Sequence, residues 1–210
     1  MSFLEALSQA VIEGQEQQVK ELTQKALAEG LKPLEIINEG LIKGMNVVGQ
    51  RFKVGDMFVP EVLMSARAMT AGMDMVKPLL VDGEMTNKGT VVIGTVKGDL
   101  HDIGKNLVGM MLESAGYKVV DLGTDTAPEA FVQAVQENNA QVLGLSALLT
   151  TTMLAMKQTI EALQVAALRD KVKVMVGGAP ITQEFADEIG ADGYAPDAAS
   201  AVELVNQLLS

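Results

Sequence analysis

The 210-residue sequence predicts an α/β protein in two parts. A four-helix bundle spans residues 1–80, and a doubly wound, five-stranded parallel sheet covered by helices spans 90–210. Three observations carry this reading. Apolar residues recur at helical spacing through the first part. Beyond residue 89, short β-branched runs alternate with helical stretches, the signature of βα units and a parallel sheet. Between the two parts, residues 81–89 are polar and carry two glycines, as a linker would.

Taken in order, Ser2 and Glu5 form a capping box that opens the first helix. Its stripe of Leu4, Leu7, Val11 and Ile12 ends near Gly14. The second helix runs from Gln15 to Glu29 with Val19, Leu22, Ala26 and Leu27 on one face, and Gly30 stops it. Pro33 opens a third helix carrying Leu34, Ile37, Leu41, Met45 and Val48. Gly55-Asp56 reads as a turn. Pro60 then opens a fourth helix through Val62, Leu63, Met69, Met73 and Val76, up to Pro78. Short connections make these an antiparallel bundle. In the second part, strands are expected at 90–96, 118–122, 141–146, 172–176 and near 192–195. Helices are expected at 103–115, 128–138, 153–164, 182–189 and 197–208.

Composition narrows the chemistry. The absence of cysteine excludes disulfides and thiolate metal sites and is compatible with a cytoplasmic protein. A net charge of −11 argues against nucleic acid as a main partner. No apolar run is long enough to span a membrane, and the N-terminus lacks the pattern of a signal peptide. The 13 methionines, several at helical spacing in the fourth helix, read as bundle core or as an adaptable surface for partner proteins.

Ligands of such sheets sit beyond the carboxyl ends of the strands. Three loops fall there: Gly98–Gly104, which holds the only histidine; Ser146–Thr152, rich in hydroxyls; and Gly177-Gly178-Ala179, where a flat ligand could approach bare backbone. Asp121 stands where a ribose-binding acid would, but Gly94 and Gly98 do not make the dinucleotide turn. Asp99, His101 and Ser146 could be drawn as a hydrolytic triad, but the strained serine elbow is missing. A protein-held zinc site is weaker still, with one histidine and no cysteine. A lone histidine is ordinarily a surface or core residue. Asp99 two residues earlier changes that reading, because a metal-bound imidazole usually donates its other N–H to a carboxylate. Gly104 would let the following helix start close to a bulky ligand. Blander readings stand beside these: Thr150–Thr152 as a helix cap, Gly177-Gly178 as a tight turn, Phe52 and Val59 as ordinary core.

Asp99-x-His101-x-x-Gly104, then Ser146-x-Leu148, then Gly177-Gly178, resembles the signature of the cobalamin-binding domain of corrinoid proteins. Gly44–Gly49, Pro60–Met69 and Val96–Asn106 are similar to the same group. The bundle resembles the cap domain of methionine synthase and of the small corrinoid proteins of methanogens and acetogens. The resemblance covers nearly the whole chain.

It implies a flavodoxin-like binding domain and a corrinoid, as methylcobalt(III) or cobalt(I), lying between the two parts. His101 would be the lower axial ligand of cobalt, with Asp99 behind it and Thr152, where the family has serine, extending the relay. Gly98, Leu100, Asp102, Ile103 and Gly104 would complete the ligand loop. Ser146, Leu148, Thr150, Gly177 and Gly178 would line the cleft for the cofactor's tail, with Ala198 a further contact. Phe52 and Val59 would cover the methyl group, Val59 standing for a larger leucine. Asn38 falls where methionine synthase has an acid.

The implied role is a methyl carrier between a donor-specific methyltransferase and a second methyltransferase that methylates tetrahydrofolate or coenzyme M. A reductive activase would be a further partner. A cobalamin-dependent sensor, or a corrinoid subunit of an adenosylcobalamin mutase, are the alternatives.

Overall fold

The computed structural model describes residues 2–80 and 88–210, so residues 81–87 of the expected linker lie outside the described residues. The chain divides into two compact units.

The first unit is helical. Helix α1 (Phe3–Ile12) opens on the expected capping box: the Glu5 N–H donates to Ser2 Oγ at 3.2 Å, and the Ser2 N–H donates to the Glu5 carboxylate at 2.8 Å. Helix α2 (Glu16–Ala28) follows, burying Val19 and Ala26. The third rod is not uniform. Helix α3 (Pro33–Glu35) passes into a π-helix, Ile36–Ile42, and then into α4 (Lys43–Lys53). Bonds from i to i+5 put more residues in each turn than the α-spacing assumes. Ile36 and Ile42 are therefore buried beside Ile37 and Leu41, while Leu34 is only half-buried. The rod also lies very close to α1: a Cβ on Gly40 would sit 2.6 Å from the Leu7 side chain, and one on Gly44 would sit 2.7 Å from the Ser8 carbonyl.

Helix α5 (Val59–Val76) starts one residue before Pro60, where the Phe58 N–H donates to the Glu61 carboxylate at 2.8 Å. It buries Val62, Ala66, Met69 and Val76, whereas Met64 is exposed. The methionines of this helix thus serve the core only in part.

In the second unit the strands are β1 (Thr90–Thr95), β2 (Lys118–Asp121), β3 (Val142–Ser146), β4 (Lys173–Gly177) and β5 (Gly193–Tyr194). The helices are α6 (Ile103–Ser114), α7 (Pro128–Glu137), α8 (Met153–Val165), α9 (Gln183–Ile189) and α10 (Ala198–Leu208). All strand pairs are parallel, in the order β2-β1-β3-β4-β5. That is the flavodoxin-like doubly wound order, with its switch point between β1 and β3.

Strand β1 is buried along its whole length, as a central parallel strand covered on both faces must be. Phe131, Leu143, Met156, Ile160 and Leu163 fill a core against the sheet. The register aligns Thr95 with Ser146 and Ser146 with Gly177. The loops after β1, β3 and β4 therefore leave the sheet side by side.

Candidate functional site

The loop after β1 begins as a turn in which the Asp99 N–H donates to the Val96 carbonyl at 3.1 Å. Gly98, at its third position, has φ of +83°, which a type II turn requires there and glycine supplies without strain. The turn drives the Asp99 side chain inward, where none of its surface is exposed.

A buried carboxylate must be satisfied, and Asp99 is saturated with donors. Its Oδ1 accepts from His101 Nδ1 at 2.7 Å and from the His101 N–H at 3.1 Å. Its Oδ2 accepts from the Leu148 N–H at 2.8 Å, the Leu149 N–H at 3.2 Å and Thr152 Oγ1 at 2.7 Å. Burial pushes the carboxyl up. The hydrogen bonds from Thr152, Leu148 and His101 outweigh it and hold the group well below the usual aspartate range.

An ionised Asp99 fixes the histidine. A carboxylate only accepts, so Nδ1 must carry the proton of the neutral ring, and the lone pair then lies on Nε2. Nε2 makes no hydrogen bond among the described residues, and about half of the side chain, 51%, is exposed. At the far end of the loop the buried Thr95 hydroxyl donates to the His101 carbonyl at 2.8 Å.

The Thr152 hydroxyl has two acceptors in reach, Asp99 Oδ2 and the Leu149 carbonyl at 2.9 Å. The charged one makes the stronger bond. Thr152 stands at the N-cap of α8, yet its side chain does not cap the helix.

The other expected residues divide into groups. Leu100 and Ile103 flank the imidazole in sequence and are 73% and 79% exposed, unusual for large apolar side chains. Asp102 is half-buried, with its carboxylate 3.1 Å from Asn106 Nδ2. A Cβ on Gly104 would meet nothing within 4 Å, so the space there is open.

Gly177 and Gly178 have a reason inside the protein. A Cβ on Gly178 would lie 1.8 Å from the Ala147 carbonyl oxygen, at φ of +130°, and one on Gly177 would lie 2.9 Å from the Ala195 carbonyl. Close backbone packing accounts for both glycines. Ser146 is half-buried at the end of β3 and makes no hydrogen bond to His101, so no triad forms. Thr150 is exposed, Leu148 is 41% exposed, and Ala198 is buried as the first residue of α10. Asp121 is bound by the buried Lys105 Nζ and is not free for a ribose. Phe52 and Val59 belong to the helical unit, half-buried in α4 and at the start of α5.

Three contributors escape sequence reasoning. The Leu149 N–H is backbone, which any residue supplies. Thr95 lies inside the strand pattern. Asp125, in the loop after β2, accepts the Gly98 N–H at 2.7 Å, and no motif in the sequence marks it.

The donor set suits a metal that arrives with its own equatorial ligands. No three His, Cys, Asp or Glu gather among the described residues, while one imidazole is pinned with a free nitrogen. Beside that imidazole in sequence, Gly104 faces open space and Leu100 and Ile103 expose apolar surface.

Comparison with known proteins identifies that group. Residues 89–203 match a B12 binding domain, and residues 3–77 match a second type of B12 binding domain. The chain is 51% identical to a corrinoid protein of Desulfitobacterium hafniense (strain Y51), over 100% of this chain and 98% of that protein. It is 49% identical to the dimethylamine corrinoid protein of Methanosarcina barkeri, over 99% and 98%. Its fold superposes on a chain of the methanol:cobalamin methyltransferase complex MtaBC from Methanosarcina barkeri with a TM-score of 0.88 and 36% identity, covering 99% of this chain and 79% of that one. The expectation of a corrinoid cofactor is met, and the chain belongs to the B12-binding corrinoid proteins of methyltransferase systems.

Proposed function

We propose that this protein carries a methyl group from a donor-specific methyltransferase to a second methyltransferase that passes it to tetrahydrofolate or coenzyme M, with a reductive activase as a third partner. The observation that carries the reading is the imidazole of His101, pinned at Nδ1 by a buried, ionised Asp99 and free at Nε2. The relatives named for dimethylamine and for a methanol:cobalamin complex support it. When bound, the corrinoid supplies a cobalt that accepts a methyl group and gives it up.

With the corrinoid bound, His101 would hold the cobalt through the Nε2 lone pair. Asp99 keeps the proton on Nδ1 and fixes the ring plane, so the lone pair stays on the outward nitrogen. Thr152, through its bond to Oδ2, steadies the carboxylate from the opposite side. Nε2 is the ring nitrogen open to solvent, and Asp99 stands behind Nδ1 as the counter-charge to the ring. Leu100, Ile103 and Gly104 flank the ring on the loop. Ser146, Leu148, Thr150, Gly177 and Gly178 line the tail cleft in this reading, Ala198 is a further contact, and Phe52 and Val59 give the methyl group apolar cover.

The test is methyl transfer. The corrinoid-loaded, reduced full chain is incubated with methyltransferases specific for dimethylamine, trimethylamine or methanol, each with its donor, and methylation is read from the absorption spectrum. Methylation by one of them, followed by transfer to tetrahydrofolate or coenzyme M when the second enzyme is added, is the expected result. A protein that binds corrinoid but is methylated by none of them contradicts the reading.

A further inference from the structure

The loop carrying His101 is gripped from a segment that has no place in the ligand signature. Asp125, in the loop between β2 and α7, accepts the Gly98 N–H at 2.7 Å through Oδ1. Its own N–H donates to the Asp99 carbonyl at 2.9 Å. One residue thus holds the Gly98 N–H and the Asp99 carbonyl, on either side of the last peptide of the turn that aims the Asp99 side chain. It does so in a left-handed conformation, φ +51°, that is unfavourable for most side chains and easiest for Asn, Asp and Gly. Such backbone outliers persist where the surroundings over-determine them, typically at functional sites.

The next residue continues the attachment: the Thr126 N–H donates to the Thr95 carbonyl at 3.0 Å, and Thr126 bridges Val96 in parallel. The other flank of the ligand loop is fastened to the start of the same segment, because the buried Lys105 Nζ binds the Asp121 carboxylate. Asp121 also accepts the Gly123 N–H at 2.9 Å, which holds the segment in shape.

We infer that Asp125 is a positioning residue for His101: by clamping the Gly98 N–H and the Asp99 carbonyl it sets the register in which Asp99 Oδ1 meets His101 Nδ1. The inference rests on His101 as the lower ligand. The Gly98 N–H faces away from the hydrogen bond that closes its own turn, so without Asp125 it loses its acceptor. The turn then keeps its closing bond to the Val96 carbonyl and the backbone bond from residue 125, but loses the side-chain anchor that fixes Gly98. Asp99 would retain its donors from Leu148 and Thr152, on the other oxygen. The bond to the imidazole is the one that loosens.

Three variants separate conformation from hydrogen bonding. Asp125→Asn keeps both the left-handed preference and a side-chain acceptor. Asp125→Gly keeps the conformation and loses the acceptor, and Asp125→Ala loses both. Two readouts follow. In the apo-protein, ¹⁵N shifts of the imidazole report the tautomer without ambiguity, since the chain has one histidine. In the full chain loaded with cyanocobalamin, the cyanide concentration that displaces the lower ligand reads the strength of imidazole ligation.

The Nδ1–H tautomer should dominate in the wild type and Asp125→Asn, and Nε2–H should grow in Asp125→Gly. The displacing cyanide concentration should fall about tenfold in Asp125→Gly, the scale of one hydrogen bond to a charged group, and stay near wild type in Asp125→Asn. Wild-type behaviour of Asp125→Gly in both readouts overturns the inference, as does an Asp125→Asn protein as impaired as Asp125→Ala. If wild-type protein binds cyanocobalamin without imidazole ligation, the ligand role of His101 fails, and the apo tautomer still decides whether Asp125 positions the ring. Should Asp125→Ala not fold, the Asn and Gly variants carry the comparison alone.

Discussion

The loops after β1 and β4 flank the same loop, the one after β3, and hold it by opposite means. On the β1 side the contact is polar: Asp99 takes the Leu148 and Leu149 N–H groups and the Thr152 hydroxyl onto one oxygen. On the β4 side the contact is steric, with the Gly178 backbone against the Ala147 carbonyl in space no side chain could share. The polar side can serve chemistry, because its carboxylate has a second oxygen to direct at His101. The steric side supplies no polar side chain and sets the distance between the loops. A glycine and an aspartate at strand ends can therefore look equally functional in a sequence while one is scaffold and the other is scaffold and chemistry together.

Substitutions at the two contacts should separate in size and in kind. Gly178→Ala should be the most damaging. Its Cβ meets backbone that cannot move aside, at a φ that favours glycine, and we expect a loss above about 4 kcal/mol, in the range of severe core disruptions. Urea unfolding of the apo-protein measures it, and a wild-type midpoint would remove the steric half of the comparison.

Asp99→Asn should cost about 3 kcal/mol, because an amide offers one acceptor and turns its own N–H groups toward donors. It should also flatten the acid limb of stability. The folded carboxyl lies below its ordinary value of 3.8, so its contribution is fully present above that pH and is lost as the pH falls below it toward the folded value. Unfolding midpoints measured from pH 6 down to 2.5 should fall more steeply for wild type than for Asp99→Asn. Parallel curves would mean that Asp99 is not held ionised.

Thr152→Val removes one donor of five and keeps the shape, and should cost about 1 kcal/mol. A larger loss, near that of Asp99→Asn, would show that the hydroxyl organises the whole network.

Gly104→Ala should do least to the fold. Its Cβ would enter open space within α6, and alanine in a helix gains up to about 1 kcal/mol over glycine. Corrinoid affinity should nonetheless fall, since the added methyl stands in the space the ring would use. Equal affinity with raised stability would detach Gly104 from the ligand.

Much of this was readable from the residues. The alternation of β-branched and helical runs placed the sheet, and Asp99-x-His101 placed the carboxylate–imidazole pair through spacing and side-chain chemistry, whereas Thr152 entered only through the family resemblance. The π-winding of Ile36–Ile42 was not readable: its residues have the apolar spacing of an α-helix, and packing against α1 selects the wider turn. Gly178 was visible as a glycine but not as the seat of Ala147, a contact between segments far apart in sequence. Leu149 acts through its backbone N–H, which leaves no trace in residue type, and Asp125 acts through a contact between segments far apart in sequence that no local pattern marks.

The ligand role of His101 is tested most directly by the absorption spectrum of His101→Ala beside wild type, both reconstituted with hydroxocobalamin. The account predicts that both bind, and that only the wild type shows the spectrum of an imidazole-ligated cobalt. Identical spectra from the two proteins would contradict it.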